Sequence, residues 1–311
     1  MENKNNFKGW IYLMPAIILI ALFTLYPLIN TFLISFLQDY KYATGSSSGF
    51  TFDNYAVLLG IKEFPDYLTG KGQIDAFFQY ALPNTLLITF ITVPISIVLA
   101  LIIAVALNSI KKLRTLFQTI FFTPYVTNII AVGMVFGVLF SQTGLINEIL
   151  GTSISFIPNQ GSEAPTYFHA MLVLCIEIIW YELPFKILVF IGGLQSIDRQ
   201  YYDAARIDAT PKIKRFLHIT VPFLSPQILY VSITSFIDGF KEYQAIAGLF
   251  NSRGTTSLNY NLYTCVYFIY DQIQTGGQNI NYACAAAVIL FVIILLFTLL
   301  QLYVSKKRVY Y

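Results

Sequence analysis

Between Trp10 and Leu37 the chain reads WIYLMPAIILIALFTLYPLINTFLISFL, with no charged residue. A helix crossing a bilayer needs about 20 mostly apolar residues. This run is too long for the apolar region of a signal peptide and has no small-residue cleavage pattern, so it reads as an uncleaved span. Five more stretches qualify, at about Ala81–Leu107, Leu116–Phe140, Phe168–Leu194, Ile219–Gly239 and Tyr282–Val304. Pro94 is expected to kink the second. Only 11% of the 311 residues are charged and 56% are hydrophobic, against about 25% charged in soluble domains. The expected fold is therefore an all-α integral membrane protein with six transmembrane helices. No internal repeat or large soluble domain is evident.

Orientation follows from the basic residues. With the N-terminus inside, 13 of the 19 Lys and Arg fall on the cytoplasmic side and four outside. Both termini are then cytoplasmic, as residues 1–9 and 305–311, around a six-helix domain over 10–304. The outer connections are long: Gln38–Tyr80, with a flexible ATGSSSGF start, Ser141–Tyr167, and about Ile246–Asn281. Loops of that length are commonly functional or disordered. Cys175, Cys265 and Cys284 have neither disulfide nor metal spacing and read as small buried hydrophobes.

Residues 195–222, QSIDRQYYDAARIDATPKIKRFLHITVP, form a heavily charged segment between two apolar stretches. Asp198 is a plausible N-cap for a first helix. Thr210-Pro211 reads as a cap followed by Pro at the first position of a second helix. The residue before Pro is pushed out of the α region, so a bend is expected near Ala209–Thr210. Tyr202, Ala205 and Ala209 share a face of the first helix, with Ala204 allowing close approach. Ile213, Phe216 and Leu217 form an apolar patch in the second. A solvated amphipathic connector and a docking knob for a cytoplasmic partner both fit these residues.

The stretch Asp203-Ala204-Ala205-Arg206-Ile207-Asp208-Ala209-Thr210, followed by Phe216, Ile219 and Pro222, resembles the EAA loop of ABC importer permeases. Further similar pieces lie in order: TPYVTN (Thr123–Asn128), TGLINEIL (Thr143–Leu150), WYELPFKILVFIGGLQSID (Trp180–Asp198), SFIDGFKEYQAI (Ser235–Ile246) and YACAAAVILFVIILL (Tyr282–Leu296). The similarity spans nearly the whole chain and is strongest to the maltose-type carbohydrate importers. Asp203 stands where the family has Glu. Ala209 stands where it has Gly, and Ala is expected to keep the close approach without the unusual dihedrals.

The resemblance implies a type I importer permease fold with cytoplasmic coupling helices, in a bacterial plasma membrane. It implies a second homologous permease as heterodimer partner, a cytoplasmic ATPase dimer, an extracytoplasmic solute-binding protein and surrounding lipid, and no nucleic acid. ATPase coupling is carried over onto Tyr202, Asp203, Ala204, Ala205, Asp208, Ala209, Phe216 and Pro222. No GxxxxGK[ST] phosphate loop occurs, so ATP and Mg are expected on the ATPase subunits and this chain is expected to be non-catalytic, without cofactor or metal of its own.

Charges within spans are costly and usually face a cavity or a partner. Glu177, Glu182, Lys186, Asp238, Lys241 and Glu242 are such charges here. Glu182 with Lys186 and Asp238 with Lys241 are spaced for helical ion pairs. The substrate-path positions that the resemblance implies are Tyr125, Asn128, Ile129, Trp180, Tyr181, Glu182, Phe185, Ser235, Asp238, Gly239 and Glu242. Carboxylates accept hydrogen bonds from sugar hydroxyls, and the same residues could instead only hold the bundle together. The resemblance makes a sugar, expected to be an oligosaccharide, the leading cargo; the acids keep open another solute, such as a polyamine or other small polar or cationic species. An intramembrane hydrolase lacks its HExxH or paired-carboxylate motif here, and an ion-coupled carrier would be longer and carry repeats. Asn84, Asn108, His169 and His218 read as helix-end or interfacial residues.

Overall fold

The computed structural model describes residues 6–63, 76–110, 114–157, 165–250, 262–274 and 279–306. Its helices are α1 (Asn6–Ile20), α2 (Tyr26–Ile34), α3 (Asp53–Leu58), α4 (Leu82–Ser109), α5 (Arg114–Val126), α6 (Ile129–Leu139), α7 (Leu145–Leu150), α8 (Tyr167–Ser196), α9 (Arg199–Ile207), α10 (Lys212–Arg215), α11 (Val221–Phe223), α12 (Ser225–Phe240), α13 (Gln244–Phe250), α14 (Cys265–Gln274) and α15 (Ile280–Ser305). One short hairpin pairs β1 (Leu37–Gln38) with β2 (Gly49–Phe50). The chain divides into two compact units, Met1–Phe78 with Cys265–Val292, and Gln79–Thr264 with Ile293–Tyr311.

In the first unit, α1 and α2 are joined by a π-helical segment, Ala21–Leu25. Apolar side chains all round this rod are exposed, as lipid contact requires. The Gly- and Ser-rich run beyond it, expected to be flexible, instead closes the antiparallel hairpin. Phe36 stacks on Phe50 there at 5.3 Å, and Phe52 meets both edge-on. Asn54 is buried and satisfies the end of α2 by donating from Nδ2 to the Ser35 and Leu37 carbonyls, each at 2.9 Å. Its Oδ1 accepts from Asn281 Nδ2 at 2.9 Å.

The second unit is built on α4 against α8. Thr85, Thr89, Thr92 and Ser96, spaced by three and four residues, form a buried polar stripe on α4. Each hydroxyl donates back to a carbonyl of its own helix, at 2.7 to 3.0 Å. Small residues of this kind let helices approach closely where lipid supplies no hydrophobic drive. Below the stripe, Ala100 and Ala104 continue the seam into an apolar cluster with Ile187, Phe190, Ile191 and Leu224. Pro94 lies inside α4 without ending it.

Several sequence expectations change. The third apolar stretch is not one helix: α5 and α6 meet at 106° across Thr127–Asn128. Asn128 is extended and its Oδ1 accepts from Ile130 N at 2.8 Å, so it caps α6. The fifth stretch bends by 69° at Leu224, where α12 begins. Asn84 does not cap a helix. Its Nδ2 donates to the Tyr263 carbonyl at 2.9 Å, and its Oδ1 accepts from Tyr167 Oη at 2.7 Å. Among the described residues three helices are long and apolar enough to cross a membrane, and five segments qualify if each bent pair counts once. The 30-residue α8, with Glu177, Glu182 and Lys186, is not among them.

The break before α6 is held by α13. A Cβ at Gly133 would come within 2.7 Å of the Gly248 backbone, and one at Gly248 within 3.0 Å of the Ile130 carbonyl oxygen. Backbone on both sides leaves nothing to rotate away. Gly133→Val is therefore expected to destabilise the purified protein by about 1–3 kcal/mol, read as a lower thermal unfolding midpoint in detergent; an unchanged midpoint would contradict this contact.

Candidate functional site

Two groups of residues converge in the second unit. The first lies where α5 breaks beside the middle of α8. Tyr125 stacks against Phe185 at 5.9 Å, with Tyr181 at 6.4 Å, and Tyr181 Oη donates to the Thr127 carbonyl at 3.4 Å. Tyr125, Val126, Thr127 and Asn128 are exposed, so this aromatic shelf is open on one side. Trp180 leans on Phe136 at 5.5 Å, a residue not singled out in the sequence.

Just behind the shelf, Lys186 is almost fully buried and forms an ion pair with Glu182, one helical turn away. Its Nζ also donates to Ser96 Oγ of the α4 stripe, at 2.5 Å. A buried ammonium is tolerable only with such partners. Glu242 follows α12 and turns its Oε1 back onto Ala245 N at 2.9 Å, while its carbonyl accepts from Thr264 at 2.9 Å. Glu177 is fully buried, and neither carboxyl oxygen has a partner among the described residues. Asp238 and Lys241 pair at 3.2 Å in an exposed position.

Thus Tyr125, Tyr181, Glu182 and Phe185 are brought together, with Asn128 and Ile129 at the adjoining break. Ser235 and Gly239 are buried instead. A Cβ on Gly239 would sit 3.0 Å from Thr89 Cγ2, so this glycine serves the contact with α4. Ser96 could have been found from the sequence, because it completes the Thr85–Thr89–Thr92 spacing. Phe136 carries no such signal.

The second group is the loop. Asp198 Oδ1 accepts from Gln200 N at 3.0 Å and starts α9. The helix ends in a Schellman motif: Thr210 N donates to the Ala205 carbonyl and Ala209 N to the Arg206 carbonyl, each at 3.0 Å. That motif places its penultimate residue in the left-handed region, and Ala209 has φ +49°. The expectation that Ala209 avoids unusual dihedrals is corrected here. The closing hydrogen bonds impose the conformation despite the Cβ. Pro211 is also corrected, because it occupies the N-cap of α10 and not its first turn.

Within α9, Ala205 faces inward and is 8% exposed, whereas Ala204 is open. Tyr202 Oη bonds Thr220 Oγ1 at 3.0 Å, tying the helix to the segment that leads into α12. Asp203 pairs with Arg206 at 3.0 Å on the surface. Tyr201 packs on Phe223 at 4.7 Å. Ile207, Ile213 and Leu217 leave 86%, 75% and 54% of their surface exposed, an apolar lip on an otherwise charged loop. Phe216 is half-buried, and Pro222 lies in the first turn of α11.

The chain belongs to the family of binding-protein-dependent transport system inner membrane components, matched over residues 96–310. It is 29% identical over 309 residues to the lactose transport system permease protein LacF of Rhizobium radiobacter, covering 99% of this chain and 97% of LacF. It is 32% identical over 301 residues to the arabinooligosaccharides transport system permease protein AraP of Bacillus subtilis, covering 95% and 88%. Its fold is similar to a chain of a bacterial ABC transporter involved in the import of the acidic polysaccharide alginate, with TM-score 0.76, 20% identity, and 98% and 96% coverage. It is thus an inner-membrane ABC transporter permease, of a family whose members are not catalytic subunits.

Two outcomes test this geometry. Lys186→Met, which strands the Glu182 carboxylate, is expected to cost about 3–5 kcal/mol, and adding Glu182→Met should recover most of it. A thermal-unfolding double-mutant cycle reads both. Ala209→Gly removes the left-handed Cβ clash and is expected to gain about 0.5–1 kcal/mol, less than the full clash because Gly loosens the unfolded chain. A fall in unfolding midpoint would contradict the Schellman assignment.

Proposed function

We propose that this chain is one of two permeases in an ATP-driven sugar importer, with oligosaccharides as the cargo class. The names of LacF and AraP support the sugar. Six spans are counted by including α8, with both termini inside, as the distribution of Lys and Arg supports. A membrane-embedded partner permease supplies the other half of the path, an external binding protein delivers the sugar, and a cytoplasmic ATPase dimer binds ATP and Mg.

The observation that carries the coupling role is the rigid loop with an exposed apolar lip. Ile207, Ile213 and Leu217 are exposed together on this loop, and covering them with a partner surface would be favourable. Open Ala204 and Tyr201 flank the lip, and Asp203 offers an acceptor. A push on α9 travels two ways: through Tyr202 and Ile197, which pack in the α8 cluster, and through the Tyr202–Thr220 bond towards α12. The bends at Thr127–Asn128 and Leu224 give the path-side segments places to rotate. On the path, the Tyr125–Tyr181–Phe185 shelf presents ring faces to the apolar side of a pyranose. Glu182, steadied by Lys186, accepts from hydroxyls, and Asn128, Trp180 and Glu242 border the route.

Asp203→Lys and Ala204→Trp are each expected to abolish uptake and binding-protein-stimulated ATP hydrolysis while leaving membrane insertion intact. Measured in the whole complex against a panel of sugars, normal uptake in both variants would remove the coupling role.

A further inference from the structure

Beside the loop helix lies a half-open cavity of about 930 Å³, whose charged and amide lining residues are exposed and whose volume is near the upper end of the roughly 300–1,000 Å³ of small-molecule pockets. Its roof is one face of α9, carrying Arg199, Asp203 and Arg206 at helical spacing. Its walls are the ends of α4 and α8, which contribute Asn108 and Gln195 beside apolar Val105 and Leu194. Asp203 is already engaged by Arg206. Arg199 has no carboxylate within ion-pair distance among the described residues, so the lining keeps one uncompensated cation with amide donors around it.

The position narrows what fits. The segment Phe77–Ser109, ending in α4, is apolar enough to cross a membrane, so the cavity opens where a span ends, at headgroup level. A polar, cationic roof above apolar walls suits an amphiphile with an anionic head. Basic pockets between helices on the cytoplasmic side bind acidic lipid headgroups.

We propose that this cavity binds one anionic phospholipid, with its phosphate on Arg199, Asn108 and Gln195 and its first methylenes against Val105 and Leu194. The cytoplasmic placement rests on the orientation proposed above. Lipid seated there wedges α9 against the ends of α4 and α8 and so stiffens the loop that the partner engages.

The test uses the intact complex in nanodiscs of phosphatidylglycerol and phosphatidylcholine, with retained lipid counted by native mass spectrometry. Both leaflets hold the same mixture, so the readout depends on neither orientation nor uptake, and it can fail while the transport reading stands. Phosphatidylglycerol is expected to be retained over phosphatidylcholine. Arg199→Gln should lower its occupancy about fivefold, the weight of one interfacial cation. Arg199→Lys should keep it, and Lys212→Gln, outside the cavity lining, should leave it unchanged. Equal retention of phosphatidylcholine would overturn the proposal, as would an Arg199→Gln complex that holds its lipid. Displacement by millimolar inorganic phosphate would assign the site to a free anion and overturn the lipid assignment as well. Loss of the lipid from complexes that contain the ATPase, but not from the permease pair, would show that a partner chain fills the cavity.

Discussion

A buried ammonium in an apolar bundle must be satisfied where it stands, and that constraint organises the second unit. Lys186 reaches the Glu182 carboxylate on its own helix and the Ser96 hydroxyl on α4. The bond to Ser96 sets the register of α4 against α8. It also places the Thr85–Thr89–Thr92 stripe in the seam and away from lipid. Once those helices are registered, the aromatic shelf on one side of α8 and the loop at its end have fixed positions.

The remaining elements are arranged around breaks. The turns at Thr127–Asn128 and at Leu224 interrupt stretches whose composition alone would run straight through a bilayer. Each break is satisfied locally, by the Asn128 cap and by the Thr220 carbonyl accepting from Leu224 N. Irregular backbone at membrane depth is tolerated only where protein or a cavity supplies its hydrogen bonds. The paired glycines at 133 and 248 hold α13 in the angle of the first break, which gives a reason for glycine in α6 that helix propensity alone would oppose.

In the loop, local signals and tertiary ones pull in different directions. Asp198 caps α9 as its chemistry dictates. Ala209 takes a conformation that its Cβ disfavours, because two carbonyls of α9 need the backbone N–H groups that follow. Ala205 shares its helical period with Tyr202, yet that face turns towards the bundle, and Ala204 is the small residue left outside. Spacing shows which residues share a face but not which face looks outward.

The sequence by itself determined the solvent: long charge-free runs are satisfied by lipid. It also determined the family, through ordered motifs, and the helical start at Asp198. It gave the ion-pair spacing of Glu182 and Lys186, because a helix turn is a local property. Only the tertiary structure decided that two of the apolar runs are broken, that Asn84 bridges Tyr167 and Tyr263 across the unit, that Ser235 is buried and that Gly239 faces α4. It also decided that Glu177 is buried with no partner among the described residues and that Ala209 is left-handed. These depend on which surfaces meet, and residues far apart in the chain settle that only once they are packed.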